Sequence, residues 1–157
     1  SVGPPGIGIA ASSTGLLISD GDGIQLWDPD AGKSIGPMVP IAGVREMVLS
    51  PDGSTVYAAA WEEDAVVALS LTSIGLAEAQ RVEGKQGLRN PDALVLSPDG
   101  ETLYVAGFCD HDIAILSRAE DGSLSWTGSI FGPLSGSDCL ASDFGEGEAE
   151  EAVEGTE

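Results

Sequence analysis

Residues 48–60 read VLSPDGSTVYAAA, and residues 95–107 read VLSPDGETLYVAG, so one motif occurs twice at an offset of 47 positions. The offset continues without a gap into the next segment, where Val66 falls on Ile113. A repeat of about 40 to 50 residues indicates a propeller blade or a unit of a similar array. This internal repeat therefore determines the predicted fold class.

Each unit is predicted to hold four short strands separated by turns. In the Ser50–Gly53 turn, proline presets φ, aspartate bonds its own backbone, and glycine accepts a positive φ. No stretch shows a sustained helical period between helix caps. The strands of the second unit are predicted at Arg45–Ser50, Thr55–Ala60, Ala65–Leu71 and Gly75–Val82. Those of the third are predicted at Ala93–Ser97, Thr102–Gly107, Asp112–Ser117 and Ser123–Ile130.

A degenerate unit without the SPDG turn precedes these two, with strands predicted at Gly8–Ser12, Gly15–Ser19, Gly23–Trp27 and Gly36–Val39. After the third unit, the segment 138–157 holds eight acidic residues and no basic one, which predicts a flexible tail. The predicted organisation is an N-terminal loop at 1–7, a degenerate blade at 8–40, blades at 41–87 and 88–130, a blade remnant or closing strand at 131–144, and an acidic flexible tail at 145–157.

The string VLSPDGETLYVAGFCDHDIAILSRAEDGSLSW at residues 95–126 resembles repeats of the YVTN and lactonase-like β-propeller families. The resemblance covers 41–130 well and 8–40 loosely. It implies an all-β propeller of four-stranded antiparallel blades, and the families include surface proteins, binding modules and some sugar-lactone hydrolases. The matching residues are structural, so no catalytic residue carries over. They are Ser97–Gly100, Leu103–Ala106, Asp110–Asp112, Ile113–Arg118 and Asp121–Gly122.

About three blades are present, whereas propellers close with four to eight. We expect the ring to be completed by another protein chain, by a second copy of this chain, or by further sequence. The chain begins at Ser1, which suggests a processed product or a fragment. The stack should leave one apolar face bare at each end, with alternate side chains pointing outward. The strand residues concerned are Leu16, Ile18, Ile24 and Leu26 at one end, and Leu103, Val105, Ile113 and Ile115 at the other.

Charge excludes several partners. The 157 residues include 26 Asp plus Glu against 6 Lys plus Arg, for a net charge of −20, so nucleic acid and anionic membrane surfaces should be repelled. No stretch approaches the roughly 20 apolar residues of a membrane span, so membrane insertion is not expected. Such acidity fits an extracellular or periplasmic setting.

The turns between the second and third strands of each unit are acidic and should share one rim, on the face that also carries the links between blades. Clustered carboxylates suit Ca²⁺ or a basic partner. Ordinary solvated turns in an acidic protein show the same sequence pattern, so both interpretations stay open. Asp20–Gly23 starts like a calcium loop, yet Ile24 and Ala31 stand where oxygen ligands belong, so we interpret it as a turn. The candidate metal residues are Asp20, Asp22, Glu62, Glu63, Asp64, Asp110 and Asp112.

His111 is the sole histidine and the catalytic candidate, since flanking aspartates could polarise it as a base. The chain has no GxSxG motif, and a polar turn residue is the simpler interpretation. Trp61 adjoins an acidic turn and could reach the rim as a stacking platform, whereas Trp27 and Trp126 suit packing between blades.

Cys109 and Cys139 lie 30 positions apart without a CxxC motif. They are either two small buried side chains or a disulfide that pins residues 131–144 onto the third blade.

Three functions remain open. The first is a non-catalytic structural or interaction module of an extracellular or periplasmic assembly, without a cofactor. The second is a lactonase-like hydrolase of small sugar lactones whose site is shared between chains. The third is a cation-binding adhesion module that uses the acidic rim.

Overall fold

A computed structural model of the chain describes residues 8–131, and these residues form three four-stranded antiparallel sheets. The strands of every sheet lie side by side in sequence order. This confirms the all-β class and the propeller-blade architecture. Within the described range, helical structure is limited to one 3-10 turn at Trp61–Glu63.

Blade 1 holds β1 (Gly8–Ala11), β2 (Leu16–Ser19), β3 (Gly23–Asp28) and β4 (Lys33–Pro40). Blade 2 holds β5 (Val44–Leu49), β6 (Thr55–Ala60), β7 (Ala65–Thr72) and β8 (Gly75–Glu83). Blade 3 holds β9 (Pro91–Leu96), β10 (Thr102–Gly107), β11 (Asp112–Arg118) and β12 (Leu124–Phe131). The predicted loop at 1–7 and tail at 145–157 lie outside the described residues, as does the predicted closing strand at 131–144 apart from Phe131.

The fourth strand of blade 1 begins three residues earlier than the sequence predicts, at Lys33 rather than Gly36. Lys33, Ser34 and Ile35 pair with the end of β3, and the register then shifts between Ile24 and Leu26. The bulge absorbs Gly36, whose φ is +69°. Gly36 and Pro37 therefore interrupt the strand pattern in the sequence without ending the strand.

The two SPDG turns are built alike. Ser50 Oγ donates to Asp52 Oδ1 at 2.6 Å and accepts from the Thr55 amide at 3.0 Å. Ser97 does the same with Asp99 at 2.5 Å and Thr102 at 3.0 Å. One hydroxyl thus ties the turn to the next strand, which explains why serine occupies this position in both units.

Blade 2 is buried on both faces. Its strand β6 alternates, with Val56, Ala58 and Ala60 packed towards blade 1, and Tyr57 and Ala59 packed towards blade 3. The first strands of consecutive blades lie beside one another, and so do the fourth strands. This is the arrangement of a propeller, in which the first strands line a central channel.

Tyr57 connects blade 2 to blade 3 through two hydrogen bonds. Its hydroxyl donates to the Gly122 carbonyl at 2.7 Å and accepts from Arg118 Nε at 3.0 Å. Burial raises the pKa of Tyr57 above its usual value, and the Arg118 guanidinium partly offsets the rise. The buried phenol therefore keeps its proton and its hydrogen bond at neutral pH.

Blades 1 and 3 are buried on one face and bare on the other. Ile24 and Leu26 point into the stack, as do Leu103 and Val105. On the outer faces Ile9 is 68% exposed, Val95 58% and Ile130 51%. Ile113 is also exposed, and Leu16, Ile18 and Ile115 are partly exposed on the same outer faces. The expected division of apolar side chains between the two faces is observed.

Candidate functional site

The acidic turns and the links between blades meet on one face of the stack. The link at 41–43 bonds to the first turn, through Ile41 N to Asp22 O at 3.0 Å and Gly43 N to Gly21 O at 2.9 Å. The next link, at 84–90, does the same with blade 3, through Phe108 N to Asn90 O at 3.0 Å. We call this surface the linker face, made of the turns at 20–22, 61–64 and 108–111 and the links at 41–43 and 84–90.

Two carboxylates of the second turn hold the links on either side of blade 2. Glu63 Oε1 accepts from the Ala42 amide at 2.6 Å, and Glu63 Oε2 contacts Arg81. Asp64 Oδ1 accepts from the Asn90 amide at 2.8 Å. These side chains stabilise the blade junctions by satisfying backbone amides that no strand pairs.

The carboxylates of the third turn are engaged in the same way. Asp110 Oδ2 accepts from the Gly87 amide at 2.8 Å, and Asp110 Oδ1 lies 3.8 Å from Arg89 Nε. Asp112 is buried and accepts from Gln86 Nε2 at 2.7 Å. Sequence reasoning placed these aspartates on the correct rim but did not foresee their partners in the link.

The remaining candidate metal residues lie in exposed turn positions. Asp20 Oδ1 accepts from the Asp22 amide at 3.1 Å, and Ile24 is buried in the core, as a simple turn requires. Glu62 is exposed beside Gly43. Among residues 8–131, no three side chains of His, Cys, Asp or Glu are grouped to hold a metal ion. The calcium interpretation stays a prediction.

His111 occupies a left-handed backbone position, with φ of +53°, in the turn between β10 and β11. Asp64, at the equivalent position of blade 2, has φ of +50°. The His111 ring lies 6.4 Å from the Phe108 ring, centroid to centroid. Its two flanking aspartates bond the link, so their described contacts are structural, and the catalytic role of His111 stays a prediction.

Cys109 is buried within this turn. Its predicted partner Cys139 lies outside the described residues, so the pairing stays a prediction. Trp126 packs against the core between blades 2 and 3 as expected, and its Nε1 donates to Gln86 O at 3.1 Å. Trp27 pairs with Leu16 and therefore faces the outer side of blade 1, where a neighbouring blade would cover it.

The structure adds two residues that sequence reasoning missed. The Arg45 guanidinium lies over the Trp61 ring at 4.6 Å, and the Trp61 and Phe108 rings are 5.2 Å apart at their centroids. Trp61 and Phe108 are equivalent positions of consecutive blades, since they are 47 residues apart. Aligning the units and looking for aromatic residues in the same place would have found the pair.

A shallow cavity of about 400 Å³ opens on the linker face between blades 2 and 3. It is lined by both signs of charge, from Asp64, Lys85, Gln86, Leu88, Arg89 and Asp110. None of the described helical structure is long enough to span a membrane.

No family model and no curated protein matches this chain, so the YVTN resemblance stays a prediction. Solved structures do match. A candidate 6-phosphogluconolactonase of Bacteroides uniformis is 27% identical with a TM-score of 0.67, over 80% of this chain and 41% of that chain. The periplasmic gluconolactonase of Pseudomonas aeruginosa is 23% identical with a TM-score of 0.64, over 78% of this chain and 40% of that chain.

The β-propeller domain of Myceliophteria thermophila Cps50 (Swd1) is 17% identical with a TM-score of 0.66, over 80% of this chain and 41% of that chain. The chain thus spans about two fifths of the length of the structures that it matches. Together with the three sheets, these likenesses establish a β-propeller fold whose structural neighbours include lactonase-like proteins.

Proposed function

We propose that this chain supplies three consecutive blades of a larger β-propeller and acts as a structural or interaction module of an extracellular or periplasmic assembly. The observation that supports it is the contrast between blade 2, buried on both faces, and the exposed apolar faces of blades 1 and 3. Leaving such faces in water forfeits roughly 25 cal/mol per Å² of apolar surface. Further blades would remove that loss.

The fraction of a neighbour's chain that this chain covers suggests how many further blades the ring needs. Three blades correspond to 41% of the Bacteroides uniformis chain, so a ring of the same build would hold about seven. This chain would then need about four more, from additional sequence or from another protein chain. A dimer of this chain would supply six.

The mass of the intact native particle, with every chain in it identified, tests the proposal. We expect one copy of these three blades together with about four others in a closed ring. A folded, stable particle of 15.9 kDa would contradict the proposal, since both end faces would then be stable in water. A particle of two identical copies would contradict the seven-blade count and would support a six-blade ring.

A second candidate is a lactonase-like hydrolase of small sugar lactones. It is favoured by two structural neighbours, one described as a candidate 6-phosphogluconolactonase and one as a periplasmic gluconolactonase. The latter also lends weak support to a periplasmic location. His111 on the linker face is the residue of this chain to test for it.

The assay is hydrolysis of glucono-1,5-lactone by the intact native particle, followed as acid release. His111→Asn keeps a residue that tolerates the left-handed backbone. If the particle hydrolyses the lactone, a rate lowered at least about 100-fold in this variant would support His111 as an acid or base. If the particle hydrolyses the lactone no faster than the spontaneous reaction, the structural or interaction module remains the proposed function.

A further inference from the structure

Arg45, at the start of β5, lies beside three side chains of the linker face, Trp61, Phe108 and His111, and we call these four residues the aromatic shelf. It crosses the junction of blades 2 and 3. Arg45 is the second residue of β5, a first strand, so the shelf begins at the inner side of the stack. Phe108 lies 5.2 Å from Trp61 and 6.4 Å from His111, between ring centroids.

Phe108 is 52% exposed at the centre of the shelf. Because about half of this side chain stays in water, burial of Phe108 in its turn contributes little to folding. The equivalent residue of blade 2 is also aromatic, and the two rings are tilted by 45° to each other. Adjacent blades thus present a contiguous, partly open aromatic surface, which is the usual lining of a small-molecule site.

The shelf holds one arginine, Arg45, and it differs from the other arginines in its partners. Three arginines are engaged: Arg81 with Glu63 and Glu78, Arg89 with Asp110, and Arg118 with Tyr57 and Gly100. Between residues 8 and 131, Arg45 forms no ion pair or hydrogen bond, and its guanidinium lies on the face of Trp61. A guanidinium that lies on a ring and forms no ion pair keeps its donors for another anion.

The second residue of β9 is Asp92, which is exposed and equivalent to Arg45 in the next blade. The starts of two neighbouring first strands, β5 and β9, therefore carry one cation and one carboxylate. A ligand suited to both has a single carboxylate for the guanidinium and hydroxyl groups that donate to the aspartate. A net charge of −20 disfavours multiply charged ligands such as phosphate esters.

We propose that the aromatic shelf binds a cyclic sugar carboxylate of the hexuronate class. The carboxylate pairs with the Arg45 guanidinium, and the apolar face of the sugar ring lies on Phe108. The hydroxyls are oriented towards Asp92 at the start of β9. This binding goes beyond the module function and does not require lactone hydrolysis.

The test is calorimetric titration of the intact native particle with D-glucuronate, and with methyl glucoside as the neutral probe. We expect glucuronate to bind with a Kd below ~10 mM and methyl glucoside to bind at least about 10-fold more weakly. Arg45→Gln should weaken glucuronate binding at least about 10-fold and leave the glucoside unchanged. Phe108→Ala should weaken the binding of both ligands.

Lys85→Gln is the matched control, because it removes the other cation held near a tryptophan, 5.8 Å from the Trp126 ring. It should leave glucuronate binding unchanged. Thermal unfolding of each variant checks folding, and Arg45→Lys, which keeps the charge without the planar fork, should bind glucuronate with intermediate affinity. Glucuronate binding that is absent, or that survives both Arg45→Gln and Phe108→Ala, would overturn the proposal while leaving the ring-completion test unaffected.

Discussion

Ser50 and Ser97 each use one hydroxyl to donate to an aspartate and to accept an amide at the start of the next strand. The Ser50 hydroxyl is the largest cause that lowers the pKa of Asp52 to about 2, followed by bonds from the Ser54 amide and hydroxyl. The pKa of Asp99 is lowered by the equivalent serine and by the Glu101 amide. The turn therefore favours the charged carboxylate.

This predicts a loss of stability in acid. The pKa of Asp52 lies below its unfolded value of 3.8, so its contribution to folding is present above about pH 4 and is lost as the pH falls towards 2. We expect Ser50→Ala to move the Asp52 pKa upwards towards 3.8, measured by carboxyl carbon NMR. Ser73→Ala, at an exposed turn, is the control. An Asp52 pKa near 3.8 in the unaltered protein would contradict the expectation.

The equivalent glycines of the two SPDG turns provide a matched pair. Gly53 and Gly100 both have φ of +73°, so an alanine at either position costs about 1 to 2 kcal/mol in backbone strain. A Cβ at Gly53 would meet open space, whereas a Cβ at Gly100 would overlap the ring of Pro51 in the neighbouring turn. The blade junction thus brings one repeat turn onto the other.

We therefore expect Gly100→Ala to lower the free energy of unfolding by at least about 1 kcal/mol more than Gly53→Ala. Urea denaturation of both variants measures the difference. Equal losses would show that the two turns do not pack as described.

At the scale of the element, carboxylates of the acidic turns stabilise the links between blades by accepting hydrogen bonds from their amides. Glu63 accepts from Ala42 and contacts Arg81, while the adjacent Glu62 is exposed. We expect Glu63→Ala to cost about 1 to 3 kcal/mol, because the Ala42 amide loses its acceptor and Arg81 keeps only Glu78 as a partner. Glu62→Ala should stay within about 0.5 kcal/mol of the unaltered protein. Thermal unfolding measures both, and similar effects of the two would contradict this role.

The sequence predicts the strands and turns well because their causes are local. The SPDG turn is set by four consecutive residues, and the alternation of β6 side chains between the two faces of blade 2 follows from strand geometry. The partners of Asp110 and Asp112 could not be predicted, because they depend on how the 84–90 link folds back over blade 3. The Trp61–Phe108 contact, by contrast, could have been inferred by aligning the two units, since residues 47 positions apart occupy equivalent turns of adjacent blades.

At the scale of the whole molecule, the outer faces of blades 1 and 3 should govern assembly. Leu16→Asp and Ile115→Asp place a charge on one end face each. In the native particle we expect either variant to lower the thermal midpoint and to release blades, seen as a smaller mass in light scattering. Burying an unpaired charge in a blade junction costs several kcal/mol.

Ile74→Asp is the control, because Ile74 is 81% exposed in a turn away from both end faces. It should leave particle mass and melting unchanged. Unchanged mass and melting in all three variants would refute the shared ring.

The burial of blade 2 between two neighbours also has a kinetic consequence. In a linear array, each unit is stabilised by its own contacts and by each junction that it shares, so a middle unit opens only when two junctions are broken. Amide hydrogens of β6 and β7 should therefore exchange with solvent more slowly than those of the equivalent strands β2 and β3 or β10 and β11. In a closed ring every blade has two neighbours, and the difference in exchange rate between blades should narrow sharply.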